Sequence, residues 1–160
     1  MTDADLPVYT VASLEAEPVF DVPSFTTDDA VDLGLLAVDV IRTRGLSLAV
    51  RIVLHDDEVF LAKLGATGPV NNPWLAGKAL VAEQFREPSM LVRQRHLEAG
   101  TAFADRTDVD HAVAKGYGGA IPLFVAGELV GSLTTSGQAD VVDHAAAAET
   151  VQRYLSRSRG

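Results

Sequence analysis

Residues 116–144 read GYGGAIPLFVAGELVGSLTTSGQADVVDH, and this stretch decides the fold. Ile121, Leu123 and Val125 alternate with Pro122, Phe124 and Ala126; Gly127 and Glu128 turn the chain, and residues 129–135 alternate again. Alternation on both sides of a glycine turn predicts an antiparallel hairpin. Ser136, Gly137 and Gln138 then break the period. Asp140 is placed to cap a helix, with Asp143 three residues later as a second carboxylate facing the free amides of the first turn. A strand end, a glycine loop and a helix start meet here, a junction suited to a small ligand.

Working outward, residues 1–10 read as a loose tail and 11–17 as a short helix ending before Pro18. Pro18 and Pro23 fence an extended piece. Thr26 or Thr27 opens a long helix through Arg44, with Asp28 and Asp29 at its positive end, Arg42 and Arg44 at its negative end and Gly45 as the stop. Leu33, Leu36, Ala37, Val40 and Ile41 form its apolar face. Leu48, Val50, Ile52 and Leu54 mark a strand, residues 55–58 a polar connection and 59–64 the returning strand. A loop at 65–73 leads into a helix from Pro73 to Phe85 with Trp74, Val81 and Phe85 on one stripe. Further helices are expected from Ser89 to about Gly100, from Thr107 or Asp108 to Gly116, and from about Asp140 to Ser156. Phe103 lies in a link with room for a short strand. The alanine run at 145–148 favours helix and permits close approach of a sheet or another subunit. Hairpins interleaved with helices indicate an α+β domain with an antiparallel sheet.

The 160 residues suffice for one domain with its own core. With 48% hydrophobic and 22% charged residues the chain is globular. The absence of cysteine excludes disulfides, thiolate zinc sites and iron–sulfur ligation. A net charge of -9 without a basic run argues against nucleic acid and anionic membrane surfaces. No apolar stretch reaches spanning length and the N-terminus is acidic, so a cytoplasmic location is the expectation.

Each candidate residue has a chemical and a structural interpretation. Gly118 and Gly119 let backbone amides approach a ligand or let the chain bend into a strand. Thr134, Thr135 and Ser136 line a polar pocket or satisfy a strand end. His144 ligates a metal or haem iron, or moves a proton; alternatively Asp143 caps and His144 packs on the sheet or a neighbouring subunit. Lys78 and Trp74, one turn apart, present a cation and an aromatic plate, or else Trp74 is buried while Lys78 snorkels. Arg93, Arg95 and His96 form a local positive cluster that receives a carboxylate or pairs with acids across a subunit contact. His55, His96 and His111 are expected at the surface. No nucleophile elbow, phosphate-binding loop, dinucleotide fingerprint or HExxH motif is present.

Asp29-Ala30 with Leu33-Gly34, then Asn72, Trp74, Lys78 and Phe85, then Gly118-Gly119 with Pro122, and Val130-Gly131 through Ser136-Gly137 to Asp143-His144 together resemble the UPF0303 family. That family is related to GlcG/HbpS-like, or haem-degrading-domain, proteins. The resemblance implies a profilin-like fold, a five-stranded antiparallel sheet flanked by helices in α/β/α layers. It also implies assembly into dimers or larger homo-oligomers and binding of haem or another small molecule. Residues 1–24 are then a tail and short helix packing on a single domain of 25–160. The ligand-binding candidates are Lys78, Tyr117, Gly118, Gly119, Thr135, Ser136, Gly137, Asp143 and His144, with no metal site. The chain departs from the family pattern at Tyr117, where relatives commonly carry His, and at Val31, Gly77 and Val142, in place of Trp, Arg and an acidic residue. Two functions follow as expectations: a small-molecule or haem-binding domain, or a non-catalytic homo-oligomeric scaffold. Dispersed ionisable groups weigh against catalysis.

Overall fold

The computed structural model describes residues 5–157. The elements run α1 (Val11–Glu15), β1 (Asp21–Val22), α2 (Thr27–Thr43), β2 (Ala49–Leu54), β3 (Asp57–Lys63), α3 (Asn72–Phe85), α4 (Ser89–Ala99), β4 (Ala120–Val125), β5 (Glu128–Ser136) and α5 (Asp140–Arg157). Helix starts follow the local chemistry. Thr26 accepts from the Asp29 amide at 3.1 Å while Asp29 accepts from the Thr26 amide at 2.8 Å, so two otherwise free donors are satisfied reciprocally. Thr10 and Ser13 do the same for α1.

The five strands form one sheet in the order β1-β4-β5-β2-β3. Both hairpins close through two residues with positive φ, His55 and Asp56 in one, Ala126 and Gly127 in the other. Such turns match the right-handed twist of the flanking strands. The second turn therefore falls one residue earlier than the Gly127–Glu128 position expected from sequence, and the polar connection of the first narrows to two residues.

The sheet is mixed, a correction to the wholly antiparallel arrangement. β1, inside the piece fenced by Pro18 and Pro23, pairs in parallel with β4 through Asp21 and Phe124. Two residues are too few to show alternation, and a strand that leads into a helix needs no hairpin partner. Pro122, which has no amide proton, is tolerated on the outer side of β4, where β1 pairs only at Phe124 and Val125.

α2 and α5 cover one face of the sheet and α3 the other. The main core lies between α2, α5 and the strands, with Leu33, Ile41, Ile52, Leu123 and Leu133 fully or nearly fully buried. Each such side chain contributes about 1.5–3 kcal/mol by leaving water. Ala146 and Ala147 belong to this core, so that face of α5 meets its own domain and not another subunit. Leu14 of α1 packs on Met90 and Leu91 of α4.

Residues 107–116 form turns and bends where a short helix was expected, and Phe103–Asp105 is a single 3₁₀ turn in place of a strand. The polar groups there bond locally instead: Asp110 accepts from the Ala112 amide at 3.1 Å, and Arg106 pairs with Asp108 at 2.7 Å. Such side-chain competition for the backbone disfavours a helix.

Candidate functional site

The junction singled out in the sequence forms the floor of a hollow of about 400 Å³. Lys78, on the sheet-facing side of α3, places Nζ 2.8 Å from Asp143 Oδ2, with the two side chains 3% and 1% exposed. The ammonium also donates to the Thr135 carbonyl at 3.1 Å. Asp143 accepts the Gln138 amide at 2.9 Å and the Gly137 amide at 3.3 Å, so it organises the glycine loop as well as the ion pair. Burial raises the Asp143 pKa above its ordinary value, outweighing the lowering by Lys78 and the two amides.

Asp140 does not cap α5 as expected. It is the first helical residue, and its carboxylate accepts the Gly118 amide at 3.0 Å and pairs with Arg93 at 2.9 Å. The first turn instead bonds to the Ala139 carbonyl. The paired glycines have a geometric role of their own. The Gly118 amide is already engaged, and a Cβ there would fall 2.6 Å from Met90 Sδ. Gly119 has φ +139, and a Cβ would collide with the Thr135 carbonyl oxygen and come within 3.0 Å of Lys78 Nζ. Thr135 lies behind the floor, its hydroxyl donating to the Asp143 carbonyl at 2.6 Å. Ser136 and Gly137 line the hollow. The Thr134 hydroxyl is buried and has no partner among the described residues.

Trp74 and Tyr117 form one wall, edge to face with centroids 5.6 Å apart, and are 37% and 43% exposed. Lys115 sits 5.1 Å above the Trp74 ring and Arg93 5.0 Å above that of Tyr117. Lys78 and Trp74 thus reverse the snorkelling expectation, with the ammonium buried and the indole open. Both aromatic rings carry a cation: Lys115, with no carboxylate partner among the described residues, on Trp74, and Arg93, already paired with Asp140, on Tyr117.

His144 does not join this group. One residue beyond Asp143, it leaves α5 in another direction, where Nε2 lies 2.7 Å from Glu17 Oε1 and the ring is 0% exposed. Tyr9 packs edge-on at 5.0 Å, and Nδ1 has no hydrogen-bond partner among the described residues. Burial first, and Glu17 second, push the Tyr9 phenol up to about 12, so it stays neutral. His144 borders a separate cleft of about 500 Å³ at the outer edge of β4, beneath α1. Sequence reasoning missed Glu17, 127 positions from its partner; no local spacing announces such a pair.

The Arg93, Arg95 and His96 cluster is neutralised within the chain: Arg93 by Asp140, Arg95 by Glu87 at 2.9 Å. His96 Nδ1 meets the Thr101 hydroxyl at 2.7 Å, and His111 contacts the Phe103 ring at 5.4 Å. His55 occupies the exposed first hairpin turn. Among the described residues no group of three His, Asp or Glu side chains is arranged to hold a metal ion, and no helix is long and apolar enough to cross a membrane.

The chain is 36% identical over 150 residues to a UPF0303 protein of Streptomyces coelicolor, covering 91% of this chain and 94% of the relative. Among solved structures it resembles the Ybr137w protein, with TM-score 0.83 and 22% identity over 96% of this chain and 92% of that one. It also resembles PduOC, solved as a haem complex, with TM-score 0.66 and 22% identity over 82% of this chain and 94% of that one. A family model described as haem degrading protein HbpS-like matches residues 25–152. The chain is therefore a member of the HbpS-like family, grouped with the UPF0303 proteins.

Proposed function

We propose that the domain binds a planar, carboxylate-bearing small molecule in the hollow over Lys78 and Asp143, with haem the first candidate. The observation that carries this reading is the wall: two partly exposed aromatic rings, Trp74 and Tyr117, each backed by a cation. A flat ring system lies against such a wall, and a carboxylate at its edge is drawn to Lys115, which has no carboxylate partner among the described residues. The family description and the haem complex of PduOC support haem within this class.

The residues present suit haem in part. Tyr117 offers a phenol, an axial ligand type for haem iron, at the position where relatives commonly carry His. His144 is turned into another compartment and takes no part. Bound haem would supply redox chemistry at its iron; the chain's own groups hold the ring and its propionates. The reading is one of binding without degradation, because the ionisable floor groups are locked on each other at 2.8 Å and do not face the hollow as a free acid or base.

Haem titration is expected to produce a saturable Soret shift that Tyr117→Ala weakens at least tenfold in affinity and His144→Phe leaves unchanged. An unshifted Soret band in wild-type protein, or a loss confined to His144→Phe, overturns the assignment.

Homo-oligomeric assembly is a second reading. It is favoured by the open edge strand β3 and the exposed Leu61 on it, not by the alanine face of α5. Solution mass by light scattering is expected to exceed that of one chain; a monomer at micromolar concentration removes this reading.

A further inference from the structure

The cleft beneath α1 is distinct from the hollow, and its chemistry is different. Leu14, Phe20, Leu91, Ile121, Phe124 and Val151 line it as an apolar chamber of about 500 Å³. That is within the range of small-molecule sites, which are mostly apolar with a few placed polar groups. Its floor is the outer edge of β4, where Pro122 removes a backbone donor, so an added peptide strand would lack a bond there. The chamber therefore suits a small molecule and not an added peptide strand.

The charged groups around the cleft are three carboxylates, two guanidiniums and the His144 imidazole. The carboxylates are all taken. Glu87 holds Arg95 through both oxygens, at 2.9 and 3.0 Å. Glu15 lies 3.8 Å from the same Arg95, and Glu17 is on His144. Arg86 alone has no carboxylate partner among the described residues; its guanidinium rests 5.2 Å above the Phe124 ring. Arg86 also occupies the left-handed region, φ 55, at the C-terminus of α3, where glycine is the usual residue. A bulky residue in that conformation is strained, and such strain clusters where a side chain must be held in place. An unpaired guanidinium stacked on a ring at the rim of an apolar chamber is a carboxylate receptor with a place for the ligand's hydrocarbon body.

We infer that this cleft binds an apolar monocarboxylic acid, with the carboxylate on Arg86 and the hydrocarbon over Phe20, Ile121 and Val151. The inference does not rest on the ligand of the hollow. Arg86→Gly separates binding from folding, because glycine fits the left-handed backbone at that site without strain. By calorimetry, wild-type protein is expected to bind decanoate, and to bind decanol of the same length at least about tenfold more weakly, the margin of a charged hydrogen-bonded pair. Arg86→Gly should lose that preference while keeping its decanol affinity, and Ala148→Phe, which fills the chamber, should lose both ligands. Trp74, outside the cleft, should keep its fluorescence unchanged throughout. Absence of decanoate binding overturns the inference, as does equal binding of acid and alcohol, or an Arg86→Gly protein that still prefers the acid. Decanoate that quenches Trp74 and competes with haem assigns the acid to the hollow and overturns it equally.

Discussion

Asp143 and His144 are consecutive residues of one helical turn, yet each closes a different compartment. Asp143 meets Lys78 with both side chains almost wholly buried, beneath an open aromatic wall. His144 meets Glu17, which is 27% exposed, at the margin of an apolar cleft. The same kind of contact, a charged or polar pair joining distant parts of the chain, thus carries different energetic weight. In the first pair neither partner can be rescued by water if the other is lost; in the second, Glu17 can turn outward.

The largest effect expected from this difference is at the floor of the hollow. Lys78→Met or Asp143→Leu alone should destabilise the fold by about 3–5 kcal/mol, because each leaves a buried charge without its partner. The double variant should recover part of that loss, since two apolar side chains remove both charge-desolvation penalties but leave the Gly137 and Gln138 amides without Asp143. Denaturant unfolding measures all three; a double variant as unstable as the sum of the singles would show that the pair is not coupled. At the cleft, Glu17→Ala should cost only about 1–2 kcal/mol, the loss of one hydrogen bond to a buried imidazole. A loss as large as that of the Lys78 variant would erase the distinction between the two sites.

The pH response should differ in a smaller way. The folded pKa of Asp143 lies above its ordinary 3.8, so between those two values the folded state holds a proton that the unfolded state has released. Stability contributed by this group is therefore lost as pH rises through that window, with a slope of at most about 1.4 kcal/mol per unit. Wild type should lose stability relative to the double Lys78→Met, Asp143→Leu variant across it, as read from unfolding midpoints at stepped pH. A relative gain would mean that Lys78, not burial, sets the titration.

Much of the fold was legible because its signals are local. Thr26 with Asp29, Gly45, Pro73 and the alternation in 48–54 and 121–135 each act within a few residues, and the corresponding elements lie where they indicate. The parallel placement of β1 was not legible, since a two-residue strand has no period and its partner Phe124 lies about a hundred residues away. The candidate site was legible in composition and not in direction. Lys78, Tyr117, Ser136, Gly137 and Asp143 meet around the hollow, whereas His144 leaves it, because adjacent positions on a helix point roughly 100° apart and a nearby sheet turns that angle into two faces. Glu17, Arg86 and Lys115 enter only through tertiary contacts.

Trp74 is the sole tryptophan, and it stands in the wall of the hollow. Its fluorescence during haem titration, compared between Tyr117→Ala and His144→Phe, therefore reports directly on where a planar ligand docks. Saturable quenching that Tyr117→Ala weakens at least tenfold and His144→Phe preserves places the ligand against the aromatic wall. Quenching that depends on His144 and not on Tyr117 contradicts it.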